Sequence, residues 1–418
     1  MSVTPAQISI SATPILDRQA PLPAMESSAR RGRKVISFIA GAGAGALIAL
    51  GVVNGHSLAV RFGWHWLGAN MGQVIPVDFT LATLLLLILC MLAAGYLAKI
   101  VHESGHAVIG VLAGFHFNSL RVGRLQLDRP FRISLYRGRG TGAAGWVSLF
   151  PVKHDKLVLR ATLMVLAGPF ANLASAGLLI ALPYSKGMFS AWFICISLLF
   201  GVMNLVPFRR RAVTSDGGRV RMLLQNRASG ERWLAMLKLL DEIRQGVPQE
   251  NLSPDFLAKA IAIQDNSPDT FTAYAIAYSA AFWQHKDNEA GQALETCLRF
   301  SGLVSPTQRH AIMIDATVFQ ARRRKRIDLA EQWLADVPQK TEYPWYRLRG
   351  EAAILEAKGN NSGALAKLDE VIKLVQATPN QAMREISLRG VSRWKAELLS
   401  SGSTQYLPPA SLPIRAQH

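Results

Sequence analysis

Two histidines and a glutamate with the spacing of a zinc site lie at residues 102–106, whose sequence is His-Glu-Ser-Gly-His. On a helix, residues four apart share a face, so His102 and His106 can bind one metal ion from the same side. Glu103 beside them can accept a proton from a water molecule at that ion. The HExxH spacing therefore predicts one Zn²⁺ per chain, with Glu103 as a catalytic base.

This zinc motif follows directly from an apolar run that is long enough to cross a lipid bilayer. The run covers residues 79–98 and continues through 101–114, and three more apolar runs occupy 35–53, 158–182 and 188–208. At about 20 residues per crossing, the sequence predicts four transmembrane helices. A straight helix from residue 79 would carry His102 about 35 Å along its axis, near the inner membrane boundary. Tilt, a break near Gly95 or a water-filled recess would each accommodate it.

The positive charge of the chain predicts how these helices are oriented. The net charge is +18, and residues 1–230 hold 23 Lys and Arg against 7 Asp and Glu. The arginines flank the apolar runs, which is typical of the positive-inside rule and argues against nucleic-acid binding. We therefore predict a multi-pass protein of the bacterial cytoplasmic membrane, with both termini in the cytoplasm. The zinc motif is then expected toward the cytoplasmic end of its helix.

Composition divides the chain into three predicted parts. Residues 1–34 are rich in Ser, Ala and Pro and predict a disordered tail. Residues 35–225 form an all-α transmembrane domain, with a small strand-containing cytoplasmic insertion at 115–150. Residues 226–418 show degenerate helical repeats near 34 residues, which predict a cytoplasmic α-helical hairpin domain, either tetratricopeptide-like or a plain bundle. We expect the lipid bilayer around the second part and a possible protein partner on the third.

Asp216 emerges as the third metal ligand by elimination. A catalytic zinc usually has three protein ligands, and the chain has no Glu between Glu103 and Glu231. The remaining downstream candidates are His116, Asp128, His154, Asp155 and Asp216. Asp216 directly precedes two glycines after the fourth apolar run, and glycines allow the backbone to turn back toward the membrane. The alternative is that Asp216 only caps the helix that follows it.

Three separated motifs make the chain resemble the site-2 protease family of intramembrane zinc metalloproteases. They are residues 102–106, the sequence Gly-Pro-Phe-Ala-Asn at 168–172, and Asn-Leu-Val-Pro at 204–207 followed by Asp216 and Gly217. The resemblance covers about residues 80–225. It implies that His102, His106 and Asp216 bind zinc, that Glu103 is the general base, and that Asn172 positions the substrate or stabilises the oxyanion. Residues 209–215 make the link to the aspartate longer than in the common family pattern.

The resulting expectation is a zinc metalloendopeptidase that cleaves transmembrane or membrane-proximal segments of membrane-protein substrates. A helical substrate must unwind before its peptide bonds can be attacked, and the strands at 115–150 could hold the unwound peptide by edge pairing. The alternative is a catalytically silent, membrane-anchored helical-repeat scaffold. A transporter that uses the same ionisable residues as a relay is disfavoured, because four helices without an inverted repeat do not match transporter architecture.

Overall fold

The computed structural model describes residues 13–25, 80–129, 131–135, 145–182, 188–210, 213–225, 228–378 and 380–402. These residues form thirteen α-helices and six β-strands. The prediction of a mostly helical chain with a small strand-containing insertion is confirmed. The predicted first span, 35–53, lies outside the described residues.

Three apolar helices build the part of the chain that carries the zinc motif: α1 (Leu81–Leu112), α2 (Leu157–Ala181) and α3 (Met188–Leu205). Two segments, Leu85–Leu112 of α1 and the whole of α2, are long and apolar enough to cross a membrane, and α3 is apolar but shorter. Helix α1 continues without interruption past Gly95 and through the zinc motif. The structure therefore excludes a break near Gly95 as the way in which His102 is accommodated.

Small residues allow α1, α2 and α3 to approach one another closely. A Cβ atom added to Gly105 of α1 would lie 2.5 Å from the carbonyl oxygen of Ala167 on α2, which is too close for any side chain. On the other side of α2, an added Cβ at Gly201 of α3 would lie 3.1 Å from the carbonyl oxygen of Pro169. Ala94 and Ala98 are fully buried beside Phe193. Close packing through small residues is typical of helices in lipid.

The segment between α1 and α2 forms an antiparallel sheet, as its alternating sequence predicts. Its strands are β1 (Phe115–Val122), β2 (Leu125–Asp128), β3 (Arg132–Leu135) and β4 (Gly145–Pro151), in the order β3-β2-β1-β4. The register pairs Phe115 with Pro151 and Val122 with Gly145. Strand β4 therefore forms one edge of the sheet. The hydroxyl of Tyr96 on α1 donates to the carbonyl of Val122 at 2.8 Å and holds this end of the sheet against the helix.

After α3 the chain makes a short ladder, β5 (Arg209–Arg210) with β6 (Val213–Thr214), and then α4 (Asp216–Leu224) and α5 (Ala228–Gln245). Leu223 of α4 and Leu237 of α5 share a hydrophobic cluster with Phe115, Leu149 and Leu157 from the sheet and α2. This burial holds α4 beside the ends of the apolar helices.

Four further helices follow, and the first compact unit of the chain ends within the last of them, at Ile312. They are α6 (Pro254–Ile261), α7 (Pro268–Trp283), α8 (Asp287–Phe300) and α9 (Pro306–Arg322). Only three residues connect α7 to α8, so the two helices form a hairpin. The first unit thus includes α5 to α8, whereas the sequence predicted a domain boundary at 225/226. The reason is that α4 and α5 share their core with the sheet.

The prediction of a disordered tail over residues 1–34 is wrong for residues 13–25, which pack against the helical part of the chain. Ile15 and Leu16 are buried, and their backbone N–H groups donate to the two carboxylate oxygens of Glu295 on α8 at 3.0 and 2.7 Å. Arg309 donates to the carbonyl of Pro23 at 2.6 Å. Composition alone missed this N-terminal strap (residues 13–25) because only two apolar side chains anchor it.

The second unit begins at Met313 and contains α10 (Ile327–Ala335), α11 (Pro344–Ala357), α12 (Asn361–Gln376) and α13 (Gln381–Gly402). Trp333 and Leu368 are among its fully buried side chains. The predicted repeats each contain an alanine before a similar short motif, at spacings of 40 and then 34 residues. These alanines are fully buried: Ala290 on α8, Ala330 on α10 and Ala364 on α12. Their equivalent burial agrees with repeated helical segments; tetratricopeptide character remains a prediction.

Candidate metal centre

Three side chains that can bind a metal meet from two distant parts of the chain. His102 and His106 lie one turn apart on α1, and Asp216 is the first residue of α4. The two Nε2 atoms are 3.3 Å apart. Asp216 Oδ2 lies 3.2 Å from Nε2 of His102, and its Oδ1 lies 3.7 Å from Nε2 of His106. One ligand atom from each residue lies within 4.8 Å of the others, so the three could hold a metal ion.

One carboxylate oxygen of Asp216, Oδ2, is buried without a hydrogen-bond donor among the described residues. A buried carboxylate oxygen without a donor costs more than the roughly 1–3 kcal/mol of a neutral group. A cation bound by the three side chains would offset that cost, which fits the donor set to a metal site.

The imidazole of His106 is fixed in orientation by α2. Its Nδ1 lies 2.8 Å from the carbonyl oxygen of Met164, so Nδ1 carries the proton and Nε2 keeps its lone pair for a metal. Gly168 supports the other side of the ring, because an added Cβ there would lie 2.5 Å from Cε1 of His106. Helix α2 therefore presents a carbonyl and a bare backbone surface to this ligand.

Asn172 of α2 contacts the other histidine. It is fully buried, and its amide nitrogen lies 3.5 Å from Nδ1 of His102. For His102 to bind a metal through Nε2, its Nδ1 must carry the proton and needs an acceptor. Asn172 Oδ1 is buried and has no hydrogen-bond partner among the described residues. Rotating the amide by 180° places that oxygen at Nδ1 and satisfies both groups.

A network centred on Ser215 presents Asp216 to the histidines. The Ser215 hydroxyl donates to the carbonyl of Val206 at 2.8 Å and accepts from the N–H groups of Phe208 and Gly218, each at 3.0 Å. Ser215 is thus the N-cap of α4, and the alternative in which Asp216 is only a cap is wrong. An added Cβ at Gly217 would overlap the carbonyl oxygen of Leu205.

The longer link before Asp216 is accommodated by the β5–β6 ladder. Arg209 pairs with Thr214 and Arg210 with Val213, so the chain leaves α3 and returns to nearly the same place. The N–H of Ser215 donates to the carbonyl of Phe208 at 3.1 Å and closes the base of the ladder. The extra residues therefore do not move Asp216 away from the histidines.

Glu103 lies next to the edge of the sheet. It follows His102 on α1, and its carboxylate approaches the backbone of Gly145 so closely that any Cβ there would overlap it. Gly145 is the first residue of β4, the edge strand. Because Gly145 has no side chain, the carboxylate of the predicted catalytic base can lie directly against the backbone of the edge strand.

The other downstream candidates for the third ligand have partners elsewhere. Burial and the Arg129 guanidinium, which contacts the ring, lower the pKa of His116. Nε2 of His154 lies 3.4 Å from the fully buried Asp241. None of the four other candidates belongs to the three-residue cluster. Each has another partner: His116 contacts Arg129, Asp128 contacts Gln126, His154 contacts Asp241 and Asp155 contacts Arg160.

Sequence reasoning identified the three clustered side chains and Glu103 but missed the groups that position them. The Met164 carbonyl carries no signal in its residue type, since every residue has one. Gly168 appeared only as the first residue of the motif at 168–172, and Gly145 carried no signal of its own. Ser215 had a usable signal, because a serine directly before a helix is a preferred N-cap.

Comparison of the chain with protein-family models, with curated protein sequences and with solved structures finds no match.

Proposed function

We propose that the protein is an intramembrane zinc metalloendopeptidase that cleaves transmembrane or membrane-proximal segments of other membrane proteins. The observation that carries the proposal is the convergence of His102, His106 and Asp216 within an apolar helical framework, with Glu103 beside them. The motifs shared with the site-2 protease family support the same assignment.

The distances are compatible with zinc. For bonds of about 2.0–2.1 Å in a tetrahedral site, neighbouring ligand atoms lie about 3.3 Å apart. The Nε2 atoms of His102 and His106 are 3.3 Å apart, and the carboxylate oxygens of Asp216 lie 3.2 Å from His102 and 3.7 Å from His106. Two imidazoles with one carboxylate also form the ligand set of catalytic zinc sites that keep one position open.

The chemistry divides between the ion and the chain. A zinc ion bound there would supply Lewis-acid activation of water and of the peptide carbonyl. Glu103 takes a proton from the attacking water as the C–O bond forms, and then delivers it to the amine nitrogen as the C–N bond breaks. Met164 and Asn172 hold the two imidazoles in the orientation that the site needs.

The surroundings of the site favour a membrane substrate. The motif lies within Leu85–Leu112, and the most apolar stretch of this segment is only 11% buried inside the structure. Leu85, Leu89 and Leu92 are each more than half exposed on α1. Such a surface is suited to lipid rather than to water.

The N-terminal strap supports the predicted topology. Ile15 and Leu16 are bound to α8, so this part of the N-terminus and α8 lie in one compartment. The number of membrane crossings between them is then even. Helices α1, α2 and α3 supply three, and the predicted span at 35–53 supplies the fourth.

Edge strand β4 is the proposed site for the unwound substrate. Among the residues that the structure describes, it has a neighbouring strand, β1, on one side only, so its other edge can pair with an extended peptide. Because Gly145 of β4 lies against Glu103, a peptide paired there would run past the catalytic base. If deletion of residues 115–150 left cleavage of a reporter transmembrane segment unchanged, this step of the proposal would be discarded.

The decisive experiment compares membrane-protein fragments in cells that carry the wild type, Glu103→Gln or the control Glu231→Gln. Glu231 is an exposed carboxylate on α5. We expect Glu103→Gln to keep its zinc and to lose a set of fragments that wild type and control both produce. Identical fragment sets in all three strains, with zinc retained, would instead support the membrane-anchored scaffold.

A further inference from the structure

Helix α4 is held at a second point besides Ser215. Arg219, three residues after Asp216, donates from Nη1 to Oδ2 of Asp269 at 2.9 Å. Its guanidinium also lies 4.9 Å from the ring centroid of Trp233 on α5. Both members of the ion pair are about four-fifths buried, so solvent screens the interaction only in part.

Asp269 is itself anchored in a network at the start of α7. Arg232 is fully buried and forms ion pairs with Asp265 at 2.9 Å and with Asp269 at 3.8 Å. It also donates to the hydroxyls of Ser267 and Thr270. Burial alone would raise the pKa of Asp265, but its carboxylate accepts hydrogen bonds from Arg232, Ser267 and Thr270, which hold that pKa well below its usual range. Asp269 thus lies next to a buried, hydrogen-bonded arginine at the start of α7.

The position of Arg219 makes this anchor relevant to the metal site. Residues three apart on a helix lie on neighbouring parts of one face, so Arg219 and Asp216 are about one turn apart. Helix α4 has only nine residues. A rotation or shift of so short a helix moves its first residue, and with it the carboxylate that faces His102 and His106.

We infer that Arg219 is a positioning residue for the third metal ligand. Its ion pair with Asp269 connects α4 to the helical hairpin α7–α8 and thereby fixes the position of Asp216. The inference rests on the proposed metal site. It assigns the helices after residue 228 a direct influence on that site. The same hairpin binds the N-terminal strap through Glu295, so two distant parts of the chain meet on it.

The test measures metal binding by the full-length protein, without any peptide substrate. Zinc affinity is determined by competition with a chelator for wild type, Arg219→Gln, Asp269→Asn, Arg219→Lys and the control Arg221→Gln. Arg221 is exposed on the same short helix, so its loss tests for a general effect of removing charge from α4. Visible spectra of the Co²⁺-substituted proteins report the coordination geometry, and thermal unfolding is followed in parallel.

We expect Arg219→Gln and Asp269→Asn each to weaken zinc binding about tenfold, the size of effect typical of groups that orient metal ligands. Their Co²⁺ spectra should change, while Arg219→Lys and Arg221→Gln keep the wild-type affinity and spectrum. The double variant should bind zinc no more weakly than the weaker single variant, because both substitutions break one interaction.

Arg219→Gln with wild-type zinc affinity and spectrum, whatever its melting temperature, would reduce the pair to a structural role and overturn the inference. Wild-type protein that binds no zinc would overturn the inference together with the metal site. Wild-type protein that binds zinc but cleaves nothing would refute only the peptidase assignment, so the two failures are distinguishable.

Discussion

Replacing Gly168 by alanine tests the support of His106 most sharply. The added Cβ would overlap Nε2 of His106 and would lie 2.5 Å from Cε1 and 2.8 Å from Cδ2 of the ring. Optimal contacts between carbon atoms are about 3.5–4.0 Å. The imidazole must therefore move by about 1 Å, or α2 must move away from α1.

A shift of that size is incompatible with the metal site as it stands. Zinc–ligand distances are held within about 0.2 Å of their usual values. Moving one of three protein ligands by about 1 Å should cost at least about 100-fold in zinc affinity, or about 3 kcal/mol. The free energy of unfolding of the metal-free protein should fall by less than this, because alanine in a helix interior is about 1 kcal/mol more favourable than glycine.

Gly177 provides the matched control on the same helix. An added Cβ there meets nothing within 4 Å, so Gly177→Ala carries the same change in helix propensity without the contact. Both variants are purified, and zinc content, zinc affinity by chelator competition and thermal unfolding are measured. Gly177→Ala should bind zinc like the wild type and be slightly more stable.

Equal zinc affinity of Gly168→Ala and Gly177→Ala would contradict the role of Gly168 beside His106. It would mean that His106 does not need the place that Gly168 leaves for it, or that His106 is not a ligand. Loss of zinc from both variants would point to a general sensitivity of α2 and would equally remove the support for this contact.

Substitutions of Asn172, Gly145 and Arg232 test three other contacts. Asn172→Ala should weaken zinc binding at least about tenfold, and Asn172→Asp, which keeps an acceptor for the imidazole of His102, should restore most of it; equal affinities of the two variants would contradict this role. Gly145→Ala should lower cleavage of a reporter segment while zinc content stays at the wild-type level, since the new methyl group displaces the catalytic carboxylate but no ligand; parallel loss of both would count against it. Arg232→Met should lower the free energy of unfolding by about 3 kcal/mol at neutral pH. Because the pKa of Asp265 is lowered in the folded protein, the stability from this pair is present above the unfolded pKa of about 4 and is lost as the pH falls below it, so the difference from wild type should narrow there. If the difference in the free energy of unfolding between Arg232→Met and wild type widened in acid, the stabilising role of the Arg232–Asp265 pair would be contradicted.

The features that could be predicted from the sequence are those with a local pattern. The four-residue spacing of His102 and His106 is fixed by helix geometry, and the alternation in residues 115–150 indicated the strands that the structure contains. Asp216 was found by elimination because the intervening sequence offered so few acidic residues. The fully buried alanines Ala290, Ala330 and Ala364 likewise belonged to a periodic pattern in the sequence.

The features that were missed depend on partners far away in the chain. Arg219 and Asp269 are separated by 50 residues, and Ile15 and Glu295 by 280. Arg219, Asp269 and Glu295 are each of an ordinary surface type, and only the packing of α4 and α8 gives them their partners. The β5–β6 ladder was missed for a different reason, because two-residue strands are too short to show alternation.

X-ray absorption at the zinc edge of the purified full-length protein identifies the metal ligands themselves. We predict one zinc per chain, with two imidazole nitrogens and a carboxylate oxygen at about 2.0–2.2 Å. Asp216→Ala should change the oxygen shell and leave the two imidazoles. A wild-type spectrum without imidazole ligands, or an Asp216→Ala spectrum identical to the wild type, would contradict this prediction.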